Sequence, residues 1–377
     1  MAKKLASLFL ILLLLGGVSA LAADKVVKVG VVYEQTGNVA TFGQSAVNAT
    51  RMLVEEINAK GGIKGVGKLE LVIEDNKSDA AESANAYNKV IFKDKVVGIL
   101  GPVTSTNTLA AAPIAQQAGV PVITPTATNP RVTQVGDYIF RACFIDPFQG
   151  RVMAVFAAKE LKYKRVAVMP EVTSDYAMGL VQFFKENFEK LGGKIVAEEK
   201  WSTGDQDFSA QLTKIKATNP DAIYVGSYYN DVALISRQAR QLGLKVPLIG
   251  GDGFDSDKLF EIGKDTVVGH YFTNHYSKDD QDPVTQKFVK AYAAKYGSAP
   301  DALAALGYDA AGLLFDAIAR AGKADPKAIR EALAKTKDYK GVSGSITFDE
   351  NRNPVKAAVI LQVQKDGSFK FVKKVQP

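Results

Sequence analysis

From residue 26 to residue 250 the chain reads as strand, loop and helix in near-unbroken alternation, and this pattern limits the fold to parallel sheets covered by helices on both faces. Val26 to Val32 is an apolar run interrupted by Lys28 and Gly30, as expected of a strand buried on both sides. The next helix carries Ala46, Leu53, Val54 and Ile57 on one face, turns Arg51, Glu55 and Glu56 outward, and stops at Gly61-Gly62. Strands over 69–73, 96–100 and 120–123 follow, with helices over 80–92 and 106–118 between them. A second series runs through helix 149–161, strand 165–169, helix 176–190, strand 194–198, helix 208–216, strand 222–225, helix 231–242 and strand 247–250. Helices over 283–296, 301–320 and 326–335 then come almost consecutively, before strands 345–348, 357–363 and 369–373. Successive helices cannot extend a sheet, so they are expected to pack on a lobe already built. The chain is therefore read as α/β, two doubly wound lobes with more than one crossing between them.

The N-terminus reads as an export leader. Lys3 and Lys4 precede an apolar run from Leu5 to Leu15, and Ala20-Leu21-Ala22 fits the small-x-small cleavage pattern, which places the cut after Ala22. That run falls short of the roughly 20 residues that span a bilayer. No cysteine stands at the cut to take a lipid, and no second apolar stretch of that kind follows, so the processed chain is expected to be soluble outside the cytoplasm. Removing 22 residues leaves 355, enough for two cores, and lowers the formal charge from +7 to +5. The lysines are spread along the chain, which argues against a nucleic-acid footprint. Cys143 is the single cysteine, so no intramolecular disulfide forms.

Motifs for catalysis and metal binding fail on context. Gly62 to Lys68 has phosphate-loop spacing, but Leu69 stands where a hydroxyl is needed, and the segment leaves a helix and enters a strand. His270 and His275 lie without cysteine or HExxH partners and read as structural or surface residues; no metal and no cofactor is expected. No Gly-x-Ser-x-Gly elbow occurs. What remains sits at the carboxyl ends of strands, where doubly wound sheets bind ligands. The Gly101 to Thr106 loop opens a helix, so its N–H groups and the Ser105 hydroxyl suit a carboxylate, with an ordinary helix cap as the alternative. Thr124 to Thr128 supplies Thr126 and Thr128 to the same head group, or forms a polar turn. In Gly250-Gly251-Asp252-Gly253, Asp252 suits an ammonium, with a local Asx-turn as its bland reading. Phe42, Tyr176, Tyr228 and Tyr229 follow strand ends and suit pocket walls.

Ile57-Asn58-Ala59-Lys60-Gly61-Gly62-Ile63-Lys64-Gly65, Gly101-Pro102-x-x-Ser105, Thr124-Pro125-x-Ala127-Thr128, Gln149-Gly150, Arg237-Gln238-Ala239 and Gly251-Asp252-Gly253 occur in one unbroken order. In this the chain after its leader resembles the branched-chain (leucine/isoleucine/valine) amino-acid-binding proteins, the type I periplasmic receptors of ABC importers. The resemblance implies a receptor that closes on an amino acid and hands it to a membrane permease; no nucleophile with a base beside it points to an enzyme, and a monomer is the default expectation. It implies that the ligand carboxylate meets Ser105, Thr128 and the backbone at Thr126, the ammonium meets Asp252, and Tyr176 and Tyr228 cover the ligand. It further implies hinge crossovers near 143–146, 272–275 and 347–350, so that lobe one is 23–144 plus 273–347 and lobe two 145–272 plus 348–377. Phe42, where leucine receptors of the family often carry tyrosine, Asp252 in place of a longer glutamate, and Leu303 at a position aromatic in some members leave the ligand's side chain open. Receptors of this type for an amide, urea or an aromatic acid are the alternative.

Overall fold

The computed structural model describes residues 25–377; the expected leader lies outside the described residues. The first sheet is built from β1 (Val26–Tyr33), β2 (Lys68–Asp75), β3 (Ile99–Leu100), β4 (Val122–Thr124) and β5 (Ile139–Arg141), all parallel, in the order β2-β1-β3-β4-β5. Helices α1 (Ala40–Ala59), α2 (Ala80–Asn88), α3 (Ser105–Ala118) and the short α4 (Arg131–Gln134) connect them. β1 buries Val27, Val29, Val31, Val32 and Tyr33, and turns Lys28 to solvent. On α1, Ala46 and Val54 are buried, Leu53 and Ile57 are packed against the core, and Arg51 and Glu55 are exposed, as the spacing predicts.

After β5 the chain enters α5 (Asp146–Val155), which packs on α6 of the second layer system. That system contains β6 (Arg165–Pro170), α6 (Asp175–Lys190), β7 (Lys194–Glu198), α7 (Ser209–Ala217), β8 (Ala222–Gly226), α8 (Tyr229–Gln241), β9 (Leu248–Gly250), α9 (Asp257–Gly263) and β10 (Tyr271–Asn274). The chain then returns to the first body through α10 (Pro283–Tyr296), α11 (Ala302–Ala321) and α12 (Pro326–Ala334), with α11 lying along α1. β11 (Tyr339–Gly341) and β12 (Gly344–Ile346) form a small antiparallel ladder beside them. β13 (Ala358–Val363) and β14 (Phe369–Val375) finish the second sheet, whose order is β14-β13-β10-β9-β8-β6-β7. Each body is thus made of chain-distant pieces, which couples the two bodies tightly.

The structure corrects the sequence reading in several places. The second sheet is mixed, because β13 runs antiparallel to β10 and β14 antiparallel to β13. The strand expected over 96–100 is confined to Ile99–Leu100: Lys95 takes φ 60° and the Val96 N–H bonds back to Val90 O at 3.2 Å. β5, α9 and β11 were not expected; β5 and β11 are three residues each, too short for a period to show. The helices expected over 80–92 and 149–161 end in wider π turns at Lys89–Lys93 and Phe156–Glu160. α11 is the one helix among the described residues long and apolar enough to cross a membrane, yet it is largely buried, as a core helix.

Glu34, at the carboxyl end of β1, fastens the strand to the start of α3. It is fully buried, and its carboxylate accepts the Val103 N–H (2.9 Å), the Thr104 N–H and hydroxyl (3.1 and 2.8 Å) and the Asn107 amide (2.9 Å). Burial pushes its pKa up, against the pull of these donors. Gly101 approaches the carbonyl of Val32 at φ 102°, so a side chain there would collide with backbone. Glu34→Ala leaves four donors without an acceptor, and a loss of about 2–3 kcal/mol is expected in urea denaturation.

Candidate functional site

The strand ends of both bodies face one another across a small cavity of about 20 Å³. The first body supplies Phe42 from α1, Val103 and Thr104 from the loop after β3, Ser105 from the start of α3, Thr126 from the loop after β4, and Ala302 and Leu303 from the start of α11. Tyr176 of α6, Tyr228 before α8, and Asp252 and Gly253 after β9 come from the second, while Asn274 and His275 lie at the end of β10, where the chain crosses back toward the first.

Of the residues expected from sequence, Phe42, Ser105, Thr126, Tyr176, Tyr228, Asp252 and Leu303 line this cavity. Thr128 does not. It is fully buried behind the wall, and its hydroxyl lies beside the carboxyl of Asp146. The direction of the chain explains this: the Asp146 N–H bonds to Thr128 O at 3.0 Å, and that carbonyl pins the first crossover to the loop after β4. The Thr126 hydroxyl is spent on Val103 O at 2.7 Å, and Ser105 Oγ accepts the Asn129 N–H at 3.2 Å. Because α3 begins at Ser105, the N–H groups of its first turn have no carbonyl inside the helix to meet. Tyr229 is buried against Phe42 at 5.2 Å, off the cavity, and belongs to the core.

The aromatic walls meet edge and face. Tyr176 and Tyr228 stack at 5.2 Å with planes 15° apart, and Phe42 presents its edge to Tyr228 at 5.9 Å. Asp252 is held by side chains from distant segments, not by a local turn. Its Oδ1 accepts the Tyr176 hydroxyl (2.8 Å) and the Gln149 amide (3.1 Å), and its Oδ2 lies 2.9 Å from His275 Nε2. The Tyr176 oxygen in turn accepts the Gly253 N–H at 3.0 Å, so one hydroxyl fixes both the acid and the loop that carries it. The Gln149 amide also reaches Asp146 Oδ1 at 2.8 Å, and its carbonyl accepts the Thr273 hydroxyl at 2.9 Å.

Burial dominates the electrostatics here. It pushes the Asp146 carboxyl up to about 7 and raises the Tyr176 and Tyr228 phenols well above their ordinary range. Behind Ala302, Asp255 accepts the Ala302 N–H at 2.8 Å and Asp301 caps α11 through the Ala304 N–H at 2.7 Å. Burial raises both carboxyls, Asp255 to about 6 and Asp301 to about 7.

His275 was expected to be structural or a surface residue; it is buried and lines the cavity in contact with Asp252. The signal that would have found it is its place at a strand's carboxyl end, the same criterion that singled out Ser105 and Asp252. Metal-ligand spacing, the test applied to it, was blind to a carboxylate partner. His270 is structural: it is buried between Ser236 Oγ (2.9 Å) and the Leu248 N–H (3.3 Å), with its pKa lowered by burial to about 3. No group of acidic, histidine or cysteine residues suited to a metal ion occurs among the described residues.

Polar ties cross the cleft on both rims. Thr41 and Ser256 hydroxyls meet at 3.1 Å, and the Asn230 amide donates to Asn38 O. On the other side the Asp175 N–H donates to Thr106 Oγ1 (2.9 Å), Arg131 pairs with the Asp175 carboxylate (2.8 Å), and the Asn129 amide donates to Asp175 O (2.7 Å). The two walls stand closed on each other.

A profile of the periplasmic binding protein family matches residues 26–368. The chain is 32% identical, over 92% of its length and 92% of the relative's, to the leucine-, isoleucine-, valine-, threonine- and alanine-binding protein of Pseudomonas aeruginosa. It superposes on the crystal structure of a leucine-binding protein, LivK, from Thermotoga maritima with a TM-score of 0.89 and 46% identity, covering 93% of this chain and 99% of that one. The branched-chain amino acid transporter substrate-binding protein LivJ from Streptococcus pneumoniae, solved in complex with isoleucine, gives 0.88 and 37%, covering 94% and 100%.

Tyr176→Phe removes a donor from Asp252 and strands the Gly253 N–H. A stability loss of about 1–2 kcal/mol in chemical denaturation is the expected outcome.

Proposed function

Since the chain belongs to the periplasmic binding protein family, we propose that it is an extracytoplasmic receptor that closes on an α-amino acid, of the aliphatic branched-chain type, and delivers it to the permease of an ABC importer. The observation that carries this reading is Asp252: a carboxyl group set in a mostly apolar, aromatic-walled cleft and oriented by side-chain donors, the natural partner of a ligand ammonium. The names of the relatives support the choice of amino acid. The ligand carboxylate belongs at Ser105 and the backbone beside Thr126, with Thr128 and Asp146 bracing that loop from behind. Phe42 and Leu303 are the natural neighbours of an aliphatic side chain.

In this reading the receptor is a monomer without catalytic activity. Its first lobe is 23–144 plus 273–347, its second 145–272 plus 348–377, and an export leader is cut after Ala22. Ligand docks first on the strand ends of lobe one. Closure then adds Asp252, Tyr176 and Tyr228, and contacts made only in the closed state are what shift the equilibrium toward it. The permease reads the closed form.

A thermal-shift screen of amino acids, amides, urea and aromatic acids tests the ligand class. An aliphatic amino acid at 100 times its dissociation constant stabilises by about 2.7 kcal/mol. Stabilisation only by ligands without an ammonium group overturns the reading. Asp252→Ala is expected to weaken the best amino acid more than about tenfold, a loss above about 1.4 kcal/mol in calorimetry; unchanged affinity contradicts the role given to this acid.

A further inference from the structure

Asp252 is reached by three donors, and their distribution is uneven. Tyr176 and Gln149 both take Oδ1, whereas Oδ2 has, among the described residues, His275 alone. A carboxylate offers about four lone-pair positions, two on each oxygen. The position left for a ligand is therefore on Oδ2, the oxygen that His275 holds. His275 follows β10 where the chain turns back toward the first body, so the residue that fixes Oδ2 sits on the second crossover itself.

The chemistry of the ring sharpens this. Asp252 as a carboxylate can only accept, so Nε2 carries the proton and Nδ1 is a bare lone pair. Nδ1 is buried and has no hydrogen-bond partner among the described residues. The ring lies against Phe144 with centroids 3.7 Å apart. An apolar side chain would fill that place without an orphaned nitrogen, so packing alone gives no reason for a histidine here. Burial lowers its pKa, partly offset by Asp252, while the buried Lys356 of the third crossover lowers it further. At neutral pH the ring is an uncharged donor. It orients the carboxylate without neutralising it, which a lysine or a cationic histidine would do.

We infer that His275 is the positioning residue for Asp252: its Nε2–H fixes Oδ2 in the direction of the ligand's ammonium and ties that direction to the hinge crossover. This rests on the amino-acid reading of the cleft. The partner it presupposes is any ligand with a primary ammonium.

Two measurements test it. Calorimetry at pH 7 with L-leucine, L-isoleucine and L-valine compares wild type, His275→Gln and His275→Leu. Gln sets an amide N–H near the place of Nε2, so H275Q is expected within about threefold of wild type, while H275L, with no donor, loses at least tenfold. H275L within threefold of wild type overturns the inference, as does H275Q no better than H275L. The second measurement needs no H275L protein: ¹⁵N NMR of the imidazole rings of wild type at pH 7, with the His275 signals identified by their loss in H275Q. The expected signature is the neutral Nε2–H tautomer; an Nδ1–H tautomer or a cationic ring overturns the inference. If wild type binds none of the three amino acids, the functional reading fails, and the tautomer still decides whether His275 donates to Asp252.

Discussion

A carboxylate withdrawn from water into a cleft between two lobes must be met by donors, and the arrangement around Asp252 shows how widely this fold recruits them. Gln149 comes from α5, just after the first crossover, Tyr176 from the first turn of α6, and His275 from the second crossover. Gln149 spans two acids with one amide, Asp252 and Asp146, and Asp146 in turn anchors the loop after β4 through its N–H. The two poles proposed for the ligand are therefore linked through one chain of hydrogen bonds. A buried network of this kind is strong only while every member is satisfied. Here two members keep a buried atom without a partner among the described residues, Asp146 Oδ2 and His275 Nδ1, while the contacts to Asp252 hold its carboxylate in place before any ligand arrives.

Closure depends on different contacts. The ties across the rims, Thr41 with Ser256, Asn38 with Asn230, and Asp175 with Thr106, Asn129 and Arg131, lie away from the cavity, and several are half-exposed. Individually such contacts are weak in water. This suits a hinge that must open again to release its cargo. A buried contact differs from these: the Asp255 carboxylate accepts the Ala302 N–H at the start of α11, the helix whose first residues form part of the cavity wall.

Much of this architecture could be read from residue patterns, because hydrophobic period and strand-end position are local properties. β1, α1, β7 and α10 fall where their spacing predicts, and Ser105, Thr126, Tyr176, Tyr228, Asp252, Phe42 and Leu303 converge as strand-end and motif residues should. What escaped the sequence was set by partners far along the chain. β13 runs antiparallel because it pairs with β10, some ninety residues earlier, and nothing in Ala358 to Val363 encodes direction. The three-residue strands β5 and β11 show no period. Thr128 turned inward because the first crossover needed its carbonyl, and His275 acquired its role only when folding brought it to Asp252.

The central claim is that Asp252 receives the ligand's ammonium on Oδ2, beside His275. A crystal structure of the protein grown with L-leucine or L-isoleucine measures this directly. The account predicts the ligand nitrogen about 3 Å from Asp252 Oδ2, with the Tyr176, Gln149 and His275 contacts retained. A ligand bound with its nitrogen away from Asp252, or held by that acid only through Oδ1 after Tyr176 or Gln149 has moved aside, would contradict it.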